Sequence, residues 1–179
     1  MTKLFLRTVH TCDLTDSEKD EIAALCTAAF GDDCSLLFTK YIFEGLHSLG
    51  TMGDRLVSHA VVTTRWLQPE NQPLLRTAYV DAVATLPAFQ NQGYGGAVMR
   101  YLAEAITDFD VACLQTERVS FYAQNGWKEW TGPLAGRART GELIPTPGQK
   151  GVMVLALPRT PALDFNSLLS IEDQVERIW

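Results

Sequence analysis

The sequence predicts a mixed α/β fold in a single domain, and three observations carry that expectation. Its 179 residues suffice for one sizeable core, and 46% hydrophobic with 20% charged residues is the balance of a globular protein. Apolar patterning switches between the period of strands and that of helices, in the order strand, two helices, three strands, helix, strand, helix, strand. Where the third of those three strands gives way to a helix lies Gln90-Asn91-Gln92-Gly93-Tyr94-Gly95-Gly96, a glycine-rich turn.

Residues 4–10 read as an opening strand. Thr15-Asp16-Ser17-Glu18 has the form of a capping box and starts a helix whose buried face is Ile22, Leu25, Cys26, Ala29 and Phe30. Gly31 closes it. A second helical pattern over 35–46 places Phe38, Tyr41, Ile42, Gly45 and Leu46 on one side. Met52-Gly53-Asp54 is a turn between strands, and 56–66 is a long strand rich in Val and Thr. Residues 69–73 are a loop by composition, and 75–86 is a broadly apolar, central strand. The helix over 95–109 puts Val98, Tyr101, Leu102, Ala105, Ile106 and Phe109 on a single face. A short buried strand at 111–115 precedes a short helix at 117–124, stopped by Asn125-Gly126. Residues 132–149 form a loop or hairpin over the surface, and 151–157 a closing strand. From Pro158 onward, Phe165, Leu168, Leu169, Ile171, Ile178 and Trp179 are too apolar for a free tail. The expectation is therefore a domain over 1–157 with 158–179 as an arm packed on it.

The glycine turn is where the chain announces chemistry. A Gln-x-x-Gly-x-Gly loop feeding a helix start exposes backbone N–H groups with no intrahelical partners, and the positive end of the helix dipole adds to them. Glycines remove the Cβ atoms that would hold an anion away, so the loop suits a phosphate or pyrophosphate. A net charge of −6 argues against nucleic acid as the principal partner and suits a cationic substrate. The N-terminal residues lack the apolar run of a signal peptide and no stretch is long enough to span a bilayer, so a cytoplasmic protein is expected. Cys12, Cys26, Cys34 and Cys113 are scattered without metal-ligand spacing, which predicts reduced thiols and no metal.

The strand over 79–86, the Gln90–Gly95 loop with its helix, and Phe121-Tyr122-Ala123-Gln124-Asn125-Gly126-Trp127 together resemble the GCN5-related N-acetyltransferase superfamily. The loop alone is a weak signal; followed some 30 residues later by Phe-Tyr-x-x-x-Gly-Trp it is a strong one. Val9-His10-Thr11-Cys12-Asp13-Leu14, Gly45-Leu46-His47, Tyr79-Val80-Asp81, Tyr122 with Gly126-Trp127, and the terminal Trp179 extend the resemblance to the aminoglycoside 2'-N-acetyltransferases. That resemblance implies a mixed, mainly antiparallel sheet flanked by helices, acetyl-CoA as donor, a small-molecule aminoglycoside as acceptor, antibiotic resistance as the outcome, and a homodimer.

It also implies a site. The donor's pyrophosphate would lie on the segment Gln90, Asn91, Gln92, Gly93, Tyr94, Gly95 and Gly96, principally on the N–H groups of Gln92, Gly93, Gly95 and Gly96. Its pantetheine arm would run beside Val83, Ala84 and Thr85 as an added strand would, with an N–H near Val83 polarising the thioester carbonyl. Asp81 would serve as base for the acceptor amine, and strand alternation places it on the face of Val83. Relatives carry Glu there, so the shorter Asp implies a bridging water; Asp81 acting only as a counter-charge remains open. Tyr122 would protonate the departing thiolate. Asp33, Asp81, Ala82 and Trp179 would contact the acceptor. His47 and His59 read either as packed residues or as lining of the acceptor pocket. Cys34 and Cys113 lack a neighbouring His, and direct transfer needs no covalent intermediate.

The chain also departs from the pattern. Phe38, Gln149-Lys150 and Arg177 stand where the resemblance leads one to expect acids. Fewer acids suit an aminoglycoside with fewer amines and a carboxylate of its own, which describes kasugamycin. Other acceptors (a deoxystreptamine drug, a polyamine, a peptide N-terminus) keep the same chemistry. A non-catalytic acetyl-CoA sensor would keep the glycine loop but could dispense with Asp81 and Tyr122.

Overall fold

Thr15 and Glu18 form the box that their spacing dictates. In the computed structural model, which describes residues 3–174 and 178–179, the Thr15 side chain accepts from the Glu18 N–H. A Glu18 carboxylate oxygen accepts in return from the Thr15 N–H at 2.8 Å. They open α1 (Asp16–Phe30), which Gly31 closes in the left-handed conformation at φ 81°. Arg7, on β1 (Leu4–His10), donates to the Glu18 carboxylate and ties strand to helix. Ile22, Leu25 and Cys26 are buried, but Phe30 is 48% exposed. Eight residues beyond Ile22 it has rotated roughly 80° off the stripe, so the buried face ends a turn before the helix does.

The second expected helix does not form. Leu37–Tyr41 makes a single π-helical turn, and Leu46 begins β2 (Leu46–Met52) instead. β2 pairs antiparallel with β1 along its whole length, from His10 opposite Leu46 to Leu4 opposite Met52. The apolar spacing fits a helix, but tertiary pairing overrides it at Gly45. The Gly45 carbonyl accepts the Thr11 N–H at 3.0 Å, and a Cβ there would lie 2.7 Å from the Val62 carbonyl oxygen. Only a glycine lets the chain pass this close to its neighbour.

Gly53, at φ 60°, turns β2 into β3 (Arg55–Pro69). β3 outlasts its expected span and takes in Pro69, because β10 (Leu169–Glu172) aligns on its end with Leu169 opposite Pro69. The chain forms two compact units, one from the chain up to Thr63 with Val80–Ile106, the other from Thr64–Tyr79 with the chain from Thr107 onward. β3 and β4 (Leu75–Thr85) each run from one unit into the other.

In the first unit, β1, β2 and the first half of β3 form an antiparallel ladder. α2 (Tyr94–Ala105) is held on β2 by the Ser48 hydroxyl, which donates to the Val98 carbonyl at 3.2 Å. α2 is shorter than the expected 95–109: Ala105 is exposed, and Ile106 and Phe109 are buried from the turn that follows. In the second unit, β5 (Val111–Gln115) lies parallel to the start of β4. The short helix α3 (Val119–Ala123) follows, then β6 (Lys128–Glu129). The segment left open between loop and hairpin is a hairpin of β7 (Leu134–Arg137) and β8 (Leu143–Pro145). β9 (Val152–Ala156) pairs antiparallel with both β5 and β6. β10 runs antiparallel to the end of β3 and parallel to β7, so the C-terminal segment contributes a strand. Arg65, 2% exposed, fastens it by donating to the Glu172 carboxylate at 3.1 Å and the Glu172 carbonyl at 2.6 Å. The pairing is mixed and mainly antiparallel, as the resemblance implied.

Candidate active site

The C-terminal end of β4 carries Asp81-Ala82-Val83-Ala84-Thr85, and its backbone is not regular. Ala82 stands at φ 47°, in the left-handed region, at a cost of roughly 1–2 kcal/mol for a residue with a Cβ. It interrupts the pleat, so strict alternation does not carry through from Asp81 to Val83, and the period-two argument for their common face fails here. Side chains of β3 bond the carbonyls of this segment. The His59 Nδ1 lies 2.9 Å from the Ala82 carbonyl oxygen, and the Ser58 hydroxyl donates to the Ala84 carbonyl at 3.1 Å. Ser58 also lies 2.8 Å from the Thr85 hydroxyl, and Gln90 Nε2 donates to the Thr85 carbonyl at 3.0 Å.

Gln90 thus reaches back and anchors the start of the glycine loop to the strand. Asn91 at φ 60° and Gly93 at φ 85° make the turn, and Gly93 is the N-cap of α2. Nothing lies within 4 Å of a Cβ built on Gly93, so glycine is there for its left-handed backbone rather than for lack of room. No side chain caps this helix and no acidic residue occupies its first turn. The N–H groups of the first turn, which include those of Tyr94, Gly95 and Gly96, have no capping side chain, and the dipole is met by no internal carboxylate. An arrangement of this kind fits a pyrophosphate.

Behind β4 lie His47 and His59, both fully buried. They are packed within the unit rather than open to solvent. His47 Nε2 is 2.9 Å from the Thr11 hydroxyl, and His47 Nδ1 is 2.9 Å from His59 Nε2. Burial pushes both rings well below the usual imidazole range, His47 to about 3 and His59 to about 4, with each other's proximity and that of His10 adding to the effect at His47. Both are neutral at physiological pH.

The remaining expected residues are placed as follows. Asp33 is exposed after α1 and accepts from the Ser35 N–H at 2.9 Å and the Ser35 hydroxyl at 3.0 Å; the first of these chiefly lowers its carboxyl below the ordinary range. Tyr122 belongs to the second unit, on α3, buried and edge-on to Trp127 with ring centroids 6.0 Å apart. Trp179 is also in the second unit, packed with Trp130 and Ile171, its indole donating to the Thr146 hydroxyl at 3.2 Å. Phe38 lies against His47 at 5.6 Å between centroids. Lys150 offers its carbonyl to Gln115 and Gln149. Arg177 lies outside the described residues. Cys26 and Cys113 are buried, and burial pushes the Cys26 thiol up to about 12, which leaves it no nucleophilic form.

A cavity of about 550 Å³ in the first unit is lined by Glu21, Leu25, Met52, Arg55, Leu56 and Leu86, and by none of the expected site residues. Among the described residues no cluster of three metal-ligating side chains occurs, and no helix is long and apolar enough to cross a membrane. Sequence reasoning named His47 and His59 but missed Ser58 and the link that runs from Thr11 through both rings to Ala82. Ser58 and His59 left one signal, as polar residues inside a strand otherwise rich in Val and Thr.

Residues 52–129 match the family described as Acetyltransferase (GNAT) domain. Over 178 residues, covering 97% of this chain and 91% of the other, the chain is 26% identical to an aminoglycoside 2'-N-acetyltransferase of Mycolicibacterium fortuitum. A GNAT family N-acetyltransferase of Escherichia coli, solved in complex with CoA, superposes with a TM-score of 0.67 at 14% identity, across 99% of this chain and 94% of that one. A GCN5-related N-acetyltransferase of Kribbella flavida superposes with a TM-score of 0.59 at 18% identity, over 73% of this chain and 34% of that one. The chain thus spans about a third of that larger protein. The fold is that of the GNAT N-acetyltransferases, and the segment that matches their family model runs from the end of β2 through β6.

Proposed function

We propose that this protein transfers the acetyl group of acetyl-CoA to the 2'-amine of an aminoglycoside, with kasugamycin the favoured acceptor. The observation that carries acetyl transfer is the uncapped N-terminus of α2, which follows closely on the kink of β4. The N–H groups of Gln92, Gly93, Gly95 and Gly96 hold the pyrophosphate, with Asn91 and Tyr94 shaping the turn. Val83, Ala84 and Thr85 align the pantetheine, and the Val83 N–H donates to the thioester carbonyl as negative charge grows on its oxygen. Asp81 takes a proton from the acceptor ammonium through a water, the freed nitrogen attacks the carbonyl carbon, and the C–S bond breaks. Tyr122 gives its hydroxyl proton to the departing sulfur and is restored by the second proton that the acylated nitrogen sheds, which leaves a neutral amide.

The acceptor reading rests on the near-full-length similarity to an aminoglycoside 2'-N-acetyltransferase and on the residues that replace acids. Phe38 lies tilted against His47 and Lys150 brings a cation, which suits a less cationic drug bearing its own carboxylate. Asp33, Ala82 and Trp179 complete the acceptor's contacts. Thiol release from acetyl-CoA, measured side by side with kasugamycin, tobramycin, spermidine and a peptide, is the test. Highest kcat/KM with kasugamycin is expected. Tight acetyl-CoA binding without turnover of any amine would make the protein a sensor.

Two substitutions locate the chemistry. Asp81→Asn lowers kcat on the order of a hundredfold while leaving acetyl-CoA affinity within a few fold. Tyr122→Phe lowers turnover more than affinity; equal turnover in the two proteins removes Tyr122 from its role as acid.

A further inference from the structure

We propose that His59 is a positioning residue for acetyl transfer: through its bond to the Ala82 carbonyl it fixes the Ala82–Val83 peptide plane so that the Val83 N–H faces the thioester oxygen. This rests on the acetyl-transfer reading above.

The protons in the buried chain can be placed without seeing them. A carbonyl oxygen only accepts, so His59 Nδ1, 2.9 Å from the Ala82 oxygen, carries the hydrogen. A neutral ring with Nδ1–H has Nε2 as acceptor, so His47 Nδ1, 2.9 Å away, must donate to it. His47 Nε2 is then an acceptor, and the Thr11 hydroxyl at 2.9 Å donates to it. That hydroxyl also lies 3.2 Å from the Gly45 carbonyl, but it has a single proton, and the nearer, unprotonated Nε2 of His47 is the acceptor that has no other donor. Both rings use both nitrogens, and the protons have a single order, running from Thr11 to Ala82. Burial, which keeps both rings neutral, preserves that order.

The consequence falls on one peptide. The described residues contain no cis peptide bond, and in a planar trans peptide the C=O of one residue and the N–H of the next point in opposite directions. Fixing the Ala82 oxygen towards His59 therefore fixes the Val83 N–H away from it. An anchor is needed here because Ala82, at φ 47°, is outside the pleat that orients the other peptides of β4. His47 and Thr11 hold the anchor in its Nδ1–H tautomer; they act on the reaction only through it.

The test uses the full chain with acetyl-CoA labelled by ¹³C at the thioester carbonyl. Bound to the unaltered protein, the carbonyl stretch should fall in frequency relative to water. His59→Leu should abolish that fall and lower kcat roughly 10- to 100-fold with KM for acetyl-CoA within about threefold. His59→Asn, whose amide nitrogen stands near the Nδ1 position, should restore most of both. A folded His59→Leu protein with an unaltered stretch and kcat overturns the proposal. If the leucine variant does not fold, ¹⁵N imidazole spectra of the unaltered protein decide: Nδ1–H on both rings supports it, Nε2–H on His59 overturns it. Failure of the unaltered protein to bind acetyl-CoA would instead sink the acetyl-transfer reading, and the role of His59 with it.

Discussion

Gly93→Asp weakens acetyl-CoA binding at least a hundredfold, a loss of about 2.7 kcal/mol or more, while the protein stays folded. The reason is the placement of Gly93 at the N-cap of α2, with no capping side chain and no first-turn acid. Aspartate brings a carboxylate to the very amides that would receive the pyrophosphate, so the site is repelling the ligand and already satisfied from within. Folding survives because open space surrounds the new Cβ and aspartate is among the residues that tolerate a left-handed backbone, here φ 85°. Gly93→Asn separates the two effects, since it imposes the same backbone demand without the charge and should weaken binding only several-fold. Calorimetric titration of both variants checks this. An aspartate variant that binds acetyl-CoA within tenfold of the unaltered protein would move the pyrophosphate away from this helix.

Acidification from pH 6.5 to 4.5 removes about 5 kcal/mol of folding stability, comparable to what a domain of this size possesses. An unfolded histidine takes up a proton as pH falls through about 6.5, whereas folded His59 and His47 resist protonation down to about 4 and about 3. The unfolded state therefore binds more protons throughout that window, and stability falls with pH by up to about 1.4 kcal/mol per unit for each ring. Glu18, lowered chiefly by the Thr15 backbone hydrogen bond, and Asp33 act in the same direction, but only below the ordinary carboxyl range. Denaturant midpoints across pH 4.5 to 6.5 measure the slope. His59→Asn should roughly halve it. An unchanged slope would mean that His59 already takes its proton in the folded protein.

The two histidines also mark where sequence reading stopped. The bond from Thr11 to His47 spans 36 residues, that from His47 to His59 spans 12, and that from His59 to Ala82 spans 23. No periodicity encodes such a chain, because its members meet only after β1, β2, β3 and β4 have paired. Nor does an alanine announce a positive φ; its side chain favours the opposite. The Leu37–Leu46 segment misled for a related reason. Its apolar spacing is helical, but the pairing of Leu46 to Met52 with β1 on one side and β3 on the other outweighs a local preference.

What the residues settled unaided lies within a turn or two of itself. The capping box at Thr15 and Glu18, the stop at Gly31, the turn at Gly53 and the glycine loop before α2 each need only neighbours a few positions away, so backbone geometry and short hydrogen bonds decide them in any context. Tertiary structure decided the rest: that Leu46 opens a strand, that residues 169–172 add β10 beside β3, and that the Ala82 carbonyl meets a buried imidazole. Each of those rests on partners far apart along the chain, whose attraction counts only once the entropy of closing the loop between them has been overcome.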